Sequence, residues 1–389
     1  MSEVQNQIHE WVQAHHEEMI ETWRDIVDTV SHVSKRSEGE LLCAKLRGIF
    51  DELGFRTWVT ESCAKNSPTL VGIWGENRPG KPVLFSGHYD TVDLPGSHPF
   101  RFEPDGRVKG LGALDMKGGI AITIAVVRCL QAIGWAERPV KILFAGDEEI
   151  GHEGGVAGET IEKEAAGCLC AFNMETGLPS NDICVSRKGA AFAYITTKGV
   201  ASHSGAAFSA GRNAIVETAY KILKIKDLTD LSQGTSVSCN LIKGGTVINS
   251  VPDECVLSVD IRYEKLSERG RIQKAIEEVV AETVIDGCSS TLEFDEHMPP
   301  FEKTAEGERL AEFVAAVSEE CGLGHMGKTS LGGGSDASHI VMAGTPAICS
   351  MGVCGEFNHT AKEYAIPETL FRRAELMANV VTRIAAFEK

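Results

Sequence analysis

Apolar residues fall along this chain in short aliphatic or β-branched runs that end at turn residues, and between these runs the apolar spacing is helical. Val83-Leu84-Phe85 runs into Ser86-Gly87-His88, and Val140 to Ala145 runs into Gly146-Asp147-Glu148-Glu149. Cys168 to Met174 ends at Glu175, and Ala347 to Met351 precedes a Gly-rich loop that reaches His359. Each run reads as a buried strand. Met116 to Ile133 reads as an amphipathic helix with Asp115 near its N-terminus. Up to about residue 187 the alternation predicts βα units around a mostly parallel sheet with helices on both faces. From Lys188 to about His297 the rhythm changes. Strands are expected there at Ala191 to Lys198, Thr235 to Ile242 and Glu254 to Tyr263, with helices at Gly211 to Lys224 and Leu266 to Thr283. After Pro299-Pro300 the first pattern returns, with helices at Glu306 to Cys321 and Pro367 to Phe387. The expected fold class is therefore α/β, with a discontinuous domain of residues 1–187 and 298–389 interrupted by a smaller α+β domain, 188–297.

Bulk properties narrow the partners. A chain of 389 residues, 43% of them hydrophobic, can bury a large core and fits about two globular domains. Its net charge of −17 and lack of any basic run argue against nucleic acid, which needs a cationic face. No apolar run approaches a membrane span, and Met1 to Trp23 is polar without the layout of a signal peptide. The 12 cysteines form no CxxC pair, and Cys168, Cys170, Cys239 and Cys349 lie inside apolar runs. They read as reduced core thiols of a cytoplasmic protein.

The chemistry concentrates where the strands end. In open α/β sheets, ligands gather beyond the carboxyl ends of the strands, so His88, Asp115, Glu149, Glu175 and His359 can converge there. Singly, four have an ordinary alternative: His88 a core histidine, Asp115 a helix N-cap, Glu149 with Glu148 exposed loop glutamates, His359 a surface histidine; Glu175, at the end of an apolar strand, is costly to bury without a cation partner. Jointly they supply one histidine and one terminal carboxylate to each of two divalent metal ions, with Asp115 shared. Zinc suits these donors best, with cobalt or manganese as substitutes. Two such ions activate a water and polarise a carbonyl. Asp90, two residues from His88, suits the carboxylate that orients a metal-bound imidazole. Glu148, beside Glu149 but pointing elsewhere, is free to take the water's proton and return it to a leaving amine. The Gly332-Gly333-Gly334-Ser335-Asp336 run lacks the GK[ST] ending of a phosphate loop, so Gly333 and its neighbours are expected to offer backbone N–H groups to a substrate carboxylate or carbonyl.

The ordered motifs SGHYDTV at 86–92, GLGALDMKGG at 110–119, DEE at 147–149, KGVASHSGAA at 198–207 and GGGSDA at 332–337 cover nearly the whole chain. In these the chain resembles the M20 family of dinuclear zinc metallopeptidases, most closely its glutamate carboxypeptidase branch. The resemblance implies that His88 and Glu175 hold one zinc, that Glu149 and His359 hold the other, and that Asp115 bridges them. It further implies that Asp90 orients His88, that Glu148 is the general acid and base, and that the Asp115-Met116 peptide is cis. By the same resemblance the inserted domain is a lid and a homodimerisation module. Its His203 stabilises the oxyanion, in its own or the partner subunit, and Asn249 and Arg262 bind the substrate's C-terminal carboxylate. The 298–301 stretch, Met298-Pro299-Pro300-Phe301, places no cation where relatives read the side chain, which leaves Arg187 and Lys188 as candidates for a glutamate carboxylate. The expected activity is hydrolysis of an amide bond to a C-terminal amino acid, glutamate in the resembling branch, within a small peptide or N-acyl amino acid. A dipeptidase or N-acyl-amino-acid deacylase is the alternative within hydrolases. A non-catalytic peptide- or metal-binding protein is the alternative outside them.

Overall fold

The computed structural model describes residues 2–96 and 98–388. Contacts divide the chain into two units: one runs to Ser186 and resumes over Lys303–Ser330 and from Ser335, and the other comprises Arg187–Glu302 and Leu331–Gly334. The division thus falls a few residues from the expected 188 and 297, and the glycines of the 332–334 run go with the second unit.

The first unit is built on a six-stranded sheet in the order Arg56–Thr60, Thr69–Trp74, Val140–Ala145, Val83–His88, Cys170–Asn173, Ala347–Ile348. The last four strands run parallel. The first two turn the edge antiparallel, a hairpin that the βα reading did not anticipate. Every residue of Val83–His88 and of Cys170–Asn173 is buried, as a strand covered on both faces requires. Their β-branched, aliphatic and aromatic content, with Phe85 packed on Phe172, suits such a double-sided core.

One helix differs from its sequence reading in both its start and its character. It spans Gly118–Ala132 rather than Met116 to Ile133, and it is buried around nearly its whole circumference, so it is not amphipathic. The reason is packing: it lies inside the helical layer, against Glu368–Arg383 and His16–Asp28. A wide turn, Ala113–Lys117, precedes it, in which Asp115 and Met116 leave helical torsions and their shared peptide is cis. Gly119 explains the tight junction, since a Cβ there would collide with the carbonyl oxygen of Met174.

The second unit carries a four-stranded antiparallel sheet in the order Ser236–Gly244, Glu254–Tyr263, Gly189–Lys198, Ser289–Met298. The last strand is absent from the sequence reading. Along Glu254–Tyr263 burial alternates residue by residue. Leu257, Val259 and Ile261 thereby face the core shared with helices Ala214–Ile225 and Leu266–Ala281.

Candidate metal centre

Three of the five expected donors, His88, Glu149 and Glu175, stand just past sheet strands or on them. His88 is the last residue of its strand, Glu148 and Glu149 form a short helical turn beyond Val140–Ala145, and Glu175 follows Cys170–Asn173 by two residues. Asp115 is brought in by the wide turn, which the Trp23 indole N–H holds at the Ala113 carbonyl (3.0 Å) and Glu363 Oε1 holds at the Leu114 N–H (3.1 Å). His359, in a loop, adopts a left-handed φ of 64°.

These side chains meet in one cluster. His88 Nε2 lies 3.3 Å from Asp115 Oδ1 and 3.4 Å from Glu175 Oε1. His359 Nε2 lies 3.1 Å from Asp115 Oδ2 and 3.0 Å from Glu149 Oε2. The two oxygens of Asp115 therefore face two different imidazoles. Glu148 Oε2 stands 3.9 Å from His88 Nε2, and two overlapping donor groups, His88–Asp115–Glu149 and His88–Glu148–Glu175, have ligand atoms within 4.8 Å of one another. Behind His88, Asp90 places Oδ1 3.3 Å from Nδ1 and accepts the Glu149 N–H through Oδ2 at 3.0 Å. Asp90 thus touches both an imidazole and the turn that carries the glutamates. Asn358 donates to Asp115 Oδ2 at 2.8 Å and to Thr176. The sequence reading passed over Asn358, though its place directly before His359 was a usable signal.

The electrostatics call for cations. Asp90, Asp115 and Glu175 are buried, and the carboxylates outnumber the two imidazoles. Burial pushes the Glu148 carboxyl well above its ordinary value; the nearby His88 opposes this, and Glu175, Asp336 and Glu149 add to it. Burial also raises Glu149, against the hydrogen bond from His359. Asp115 goes the other way: burial would raise it, but the His359 and His88 imidazoles hold it well below the carboxylate range. His359 is pushed up to about 11 by Asp115 and Glu149. Among the described residues, the buried Asp115 Oδ1 accepts no well-aligned hydrogen bond. Leaving carboxylate oxygens buried without a partner is costly, and divalent ions held by these oxygen and nitrogen donors would remove that cost. The residues present fit a two-metal site.

The remaining expected site residues belong to the second unit. His203 closes a two-residue strand paired with Ser250–Val251, and its Nδ1 accepts the N–H groups of Gly205 (3.1 Å) and Ala206 (3.0 Å). With Nδ1 accepting, a neutral ring carries its proton on Nε2, which makes that atom a donor. Asn249 is exposed, and its carbonyl accepts the Ser204 N–H. Arg262 forms a two-pronged pair with Asp260 (3.0 and 2.8 Å) and lies over the Phe192 ring. The Gly333 carbonyl accepts from Arg187, and Lys188 donates to the Gly234 carbonyl at 2.7 Å. Both cations considered for a glutamate side chain thus contact backbone carbonyls of their own unit.

A buried carboxylate shared between two histidines at the rim of a mostly parallel sheet defines the class: a metal-dependent hydrolase with a dinuclear centre. The model of peptidase family M20/M25/M40 matches residues 84–383, and the chain belongs to this family of metallopeptidases. It is 30% identical over 357 residues to carboxypeptidase G2 of Pseudomonas sp. (strain RS-16), covering 88% of this chain and 83% of that one. Identity to a succinyl-diaminopimelate desuccinylase of Methylocella silvestris is 24%, over 88% of this chain and 91% of the relative. Among solved structures, aminopeptidase PepT from Bacillus cereus superposes with a TM-score of 0.80 at 23% identity, covering 95% of this chain and 99% of that one.

Proposed function

We propose that the protein is a two-zinc exopeptidase that hydrolyses the amide bond to a C-terminal amino acid with a free carboxylate, glutamate among its substrates. The observation that carries the reading is Asp115, whose oxygens face His88 on one side and His359 on the other. His88 and Glu175 would hold one metal, His359 and Glu149 the other, with Asp115 between them. When bound, the metals supply Lewis acidity toward a water and the scissile carbonyl. The rest falls to the chain's own groups. Glu148 takes the proton of the attacking water and hands it to the departing amine nitrogen, a task suited to a carboxyl raised by burial. Asp90 keeps the His88 ring in orientation at Nδ1, with its carbonyl oxygen at 3.1 Å and its carboxylate Oδ1 at 3.3 Å. His203 is assigned to the developing oxyanion, to which its Nε2–H can donate, and Asn249, Arg262 and the Gly333 loop to the substrate's carboxylate. Asp260 holds the Nε and Nη2 edge of the Arg262 guanidinium, which leaves Nη1 to reach a substrate carboxylate.

The kinship with a desuccinylase supports a second reading, an N-acyl-amino-acid deacylase with the same centre. Rates on folate-like glutamyl conjugates, dipeptides and N-acyl amino acids, compared as kcat/KM, separate the two. Chelation should abolish turnover and zinc, cobalt or manganese restore it; full activity in verified metal-free protein sinks both readings. All 12 cysteines are free thiols, which supports a cytoplasmic setting, and among the described residues no helix is long and apolar enough to cross a membrane. A homodimer through the second unit is part of the proposal.

A further inference from the structure

The turn that carries Glu148 and Glu149 is closed by a residue that the mechanism above does not use. His152 is buried, and both of its ring nitrogens are 2.7 Å from carboxylate oxygens: Nδ1 from Asp147 Oδ1 and Nε2 from Asp336 Oδ1. Both carboxylates are fully buried. An imidazole donates from both nitrogens only as the imidazolium, so the geometry is that of a cation held between two anions. Burial alone would lower its pKa, but Asp336 and Asp147 raise it well above the ordinary value.

The backbone repeats the closure. The His152 N–H donates to the Asp147 carbonyl at 3.0 Å, and the Gly151 N–H to the Glu148 carbonyl at 2.7 Å. His152 itself has φ of 60°, a left-handed conformation that a residue with a Cβ adopts at a cost and keeps only where its surroundings impose it. Asp147 is tied further by Ser62 Oγ (2.5 Å) and Asn66 Nδ2 (2.9 Å), and Asn66 also reaches the Glu153 carbonyl. Asp336 immediately precedes the Ala337–Met342 helix, 184 positions along the chain.

We propose that His152 is a positioning residue for catalysis: by bridging Asp147 and Asp336 it fixes the turn from which Glu148 and Glu149 project. This rests on the roles assigned to those glutamates. Between Asp147 and His152 the chain has only four residues in which to present one glutamate to a metal and the other to a proton in flight. A misplacement of about 1 Å at such a site costs on the order of a hundredfold in rate. The bridge supplies the rigidity, since it pins the turn to a part of the first unit remote in sequence.

The test compares wild type with His152→Gln, Asp336→Ala and the double variant His152→Gln/Asp336→Asn. Hydrogen exchange across 146–155, retained metal by elemental analysis, and kcat and KM are measured on each. His152→Gln is expected to speed exchange in 146–155 while leaving the Gly118–Ala132 helix protected, and to lower kcat about 10- to 100-fold with KM changed less than about threefold. Asp336→Ala, which cuts one arm and leaves the other, should show the same pattern should the first variant fold poorly. The double variant removes the stranded buried charge and should recover part of kcat. Unchanged exchange in 146–155 with kcat within about twofold of wild type overturns the proposal, as does exchange raised evenly through the chain. A wild type inactive on every substrate would instead sink the functional reading, and the exchange comparison would still decide the role of the bridge.

Discussion

At Asp115 one side chain serves two neighbours, with an imidazole 3.3 Å from Oδ1 and another 3.1 Å from Oδ2. The same proximity makes metal and proton competitors. His359 is raised to about 11 by Asp115 and Glu149, and burial together with repulsion from Asp115 raises Glu363, which braces the Asp115 turn, to about 8. A histidine raised on folding stabilises fully below its unfolded value of 6.5 and loses that contribution as pH climbs through about 11. A glutamate raised from 4.5 to about 8 binds more protons folded than unfolded in that interval, so stability again falls as pH rises. Metal-free protein should therefore lose melting temperature between about pH 5 and pH 7, above which Lys117, held down to about 7 by burial, works the other way; excess zinc should stabilise progressively more as pH rises, because His359 must shed its proton to bind it. Melting curves that shift in parallel with and without zinc would refute the coupling. Glu148→Gln should keep its metal content and lose at least about a hundredfold in kcat; turnover near wild type would remove Glu148 from its assigned role. The positions of His88, Glu149 and Glu175 were legible because their strands run into residues whose charge has no place in a core. The His152 bridge was not, since nothing local marks Asp147 and Asp336 as its partners.

At the scale of elements, the site depends on how closely the Gly118–Ala132 helix approaches the strand that leads to Glu175. Gly119 permits that approach, and a methyl group there meets the backbone oxygen of Met174, which cannot swing aside as a flexible side chain would. Gly119→Ala is expected to cost about 1–3 kcal/mol in urea unfolding and to depress activity beyond the loss of folded protein, because the shift reaches Asp115 and Glu175 together. Stability and specific activity equal to wild type would show that the junction yields. Elements with a double-sided core were legible in the sequence, since their apolar runs are continuous. Ser289–Met298 was missed for the opposite reason: most of its residues are only half-buried or exposed, and its polar side chains leave little apolar alternation to read. The start of the Gly118–Ala132 helix was misplaced because the non-helical turn at Asp115 and Met116 lies inside an otherwise helical pattern.

The division of the chain into two units follows from the change of rhythm near residue 187, and the two units spend their apolar surface differently. In the second, Tyr220 and Leu223 of the Ala214–Ile225 helix are exposed together with Leu241 and Ile242 of the Ser236–Gly244 strand. That strand is a sheet edge, hydrogen-bonded among the described residues to Glu254–Tyr263 alone. An edge bearing apolar side chains beside an apolar helix face invites pairing with another chain unless something covers it, and its one lysine, Lys243, stands toward the end of the strand. A second copy offering the same helix and edge meets both needs through one two-fold contact, in which each exposed group finds its counterpart. The expected species in solution is therefore a dimer. Leu223→Asp combined with Leu241→Asp places like charges on both elements of that contact and should convert the dimer to a monomer of 41.9 kDa by light scattering, with melting of the first unit little changed. A dimer that persists in the double variant would place the contact elsewhere. A wild type that is already monomeric would leave the apolar face to some other partner and would confine His203 to its own subunit.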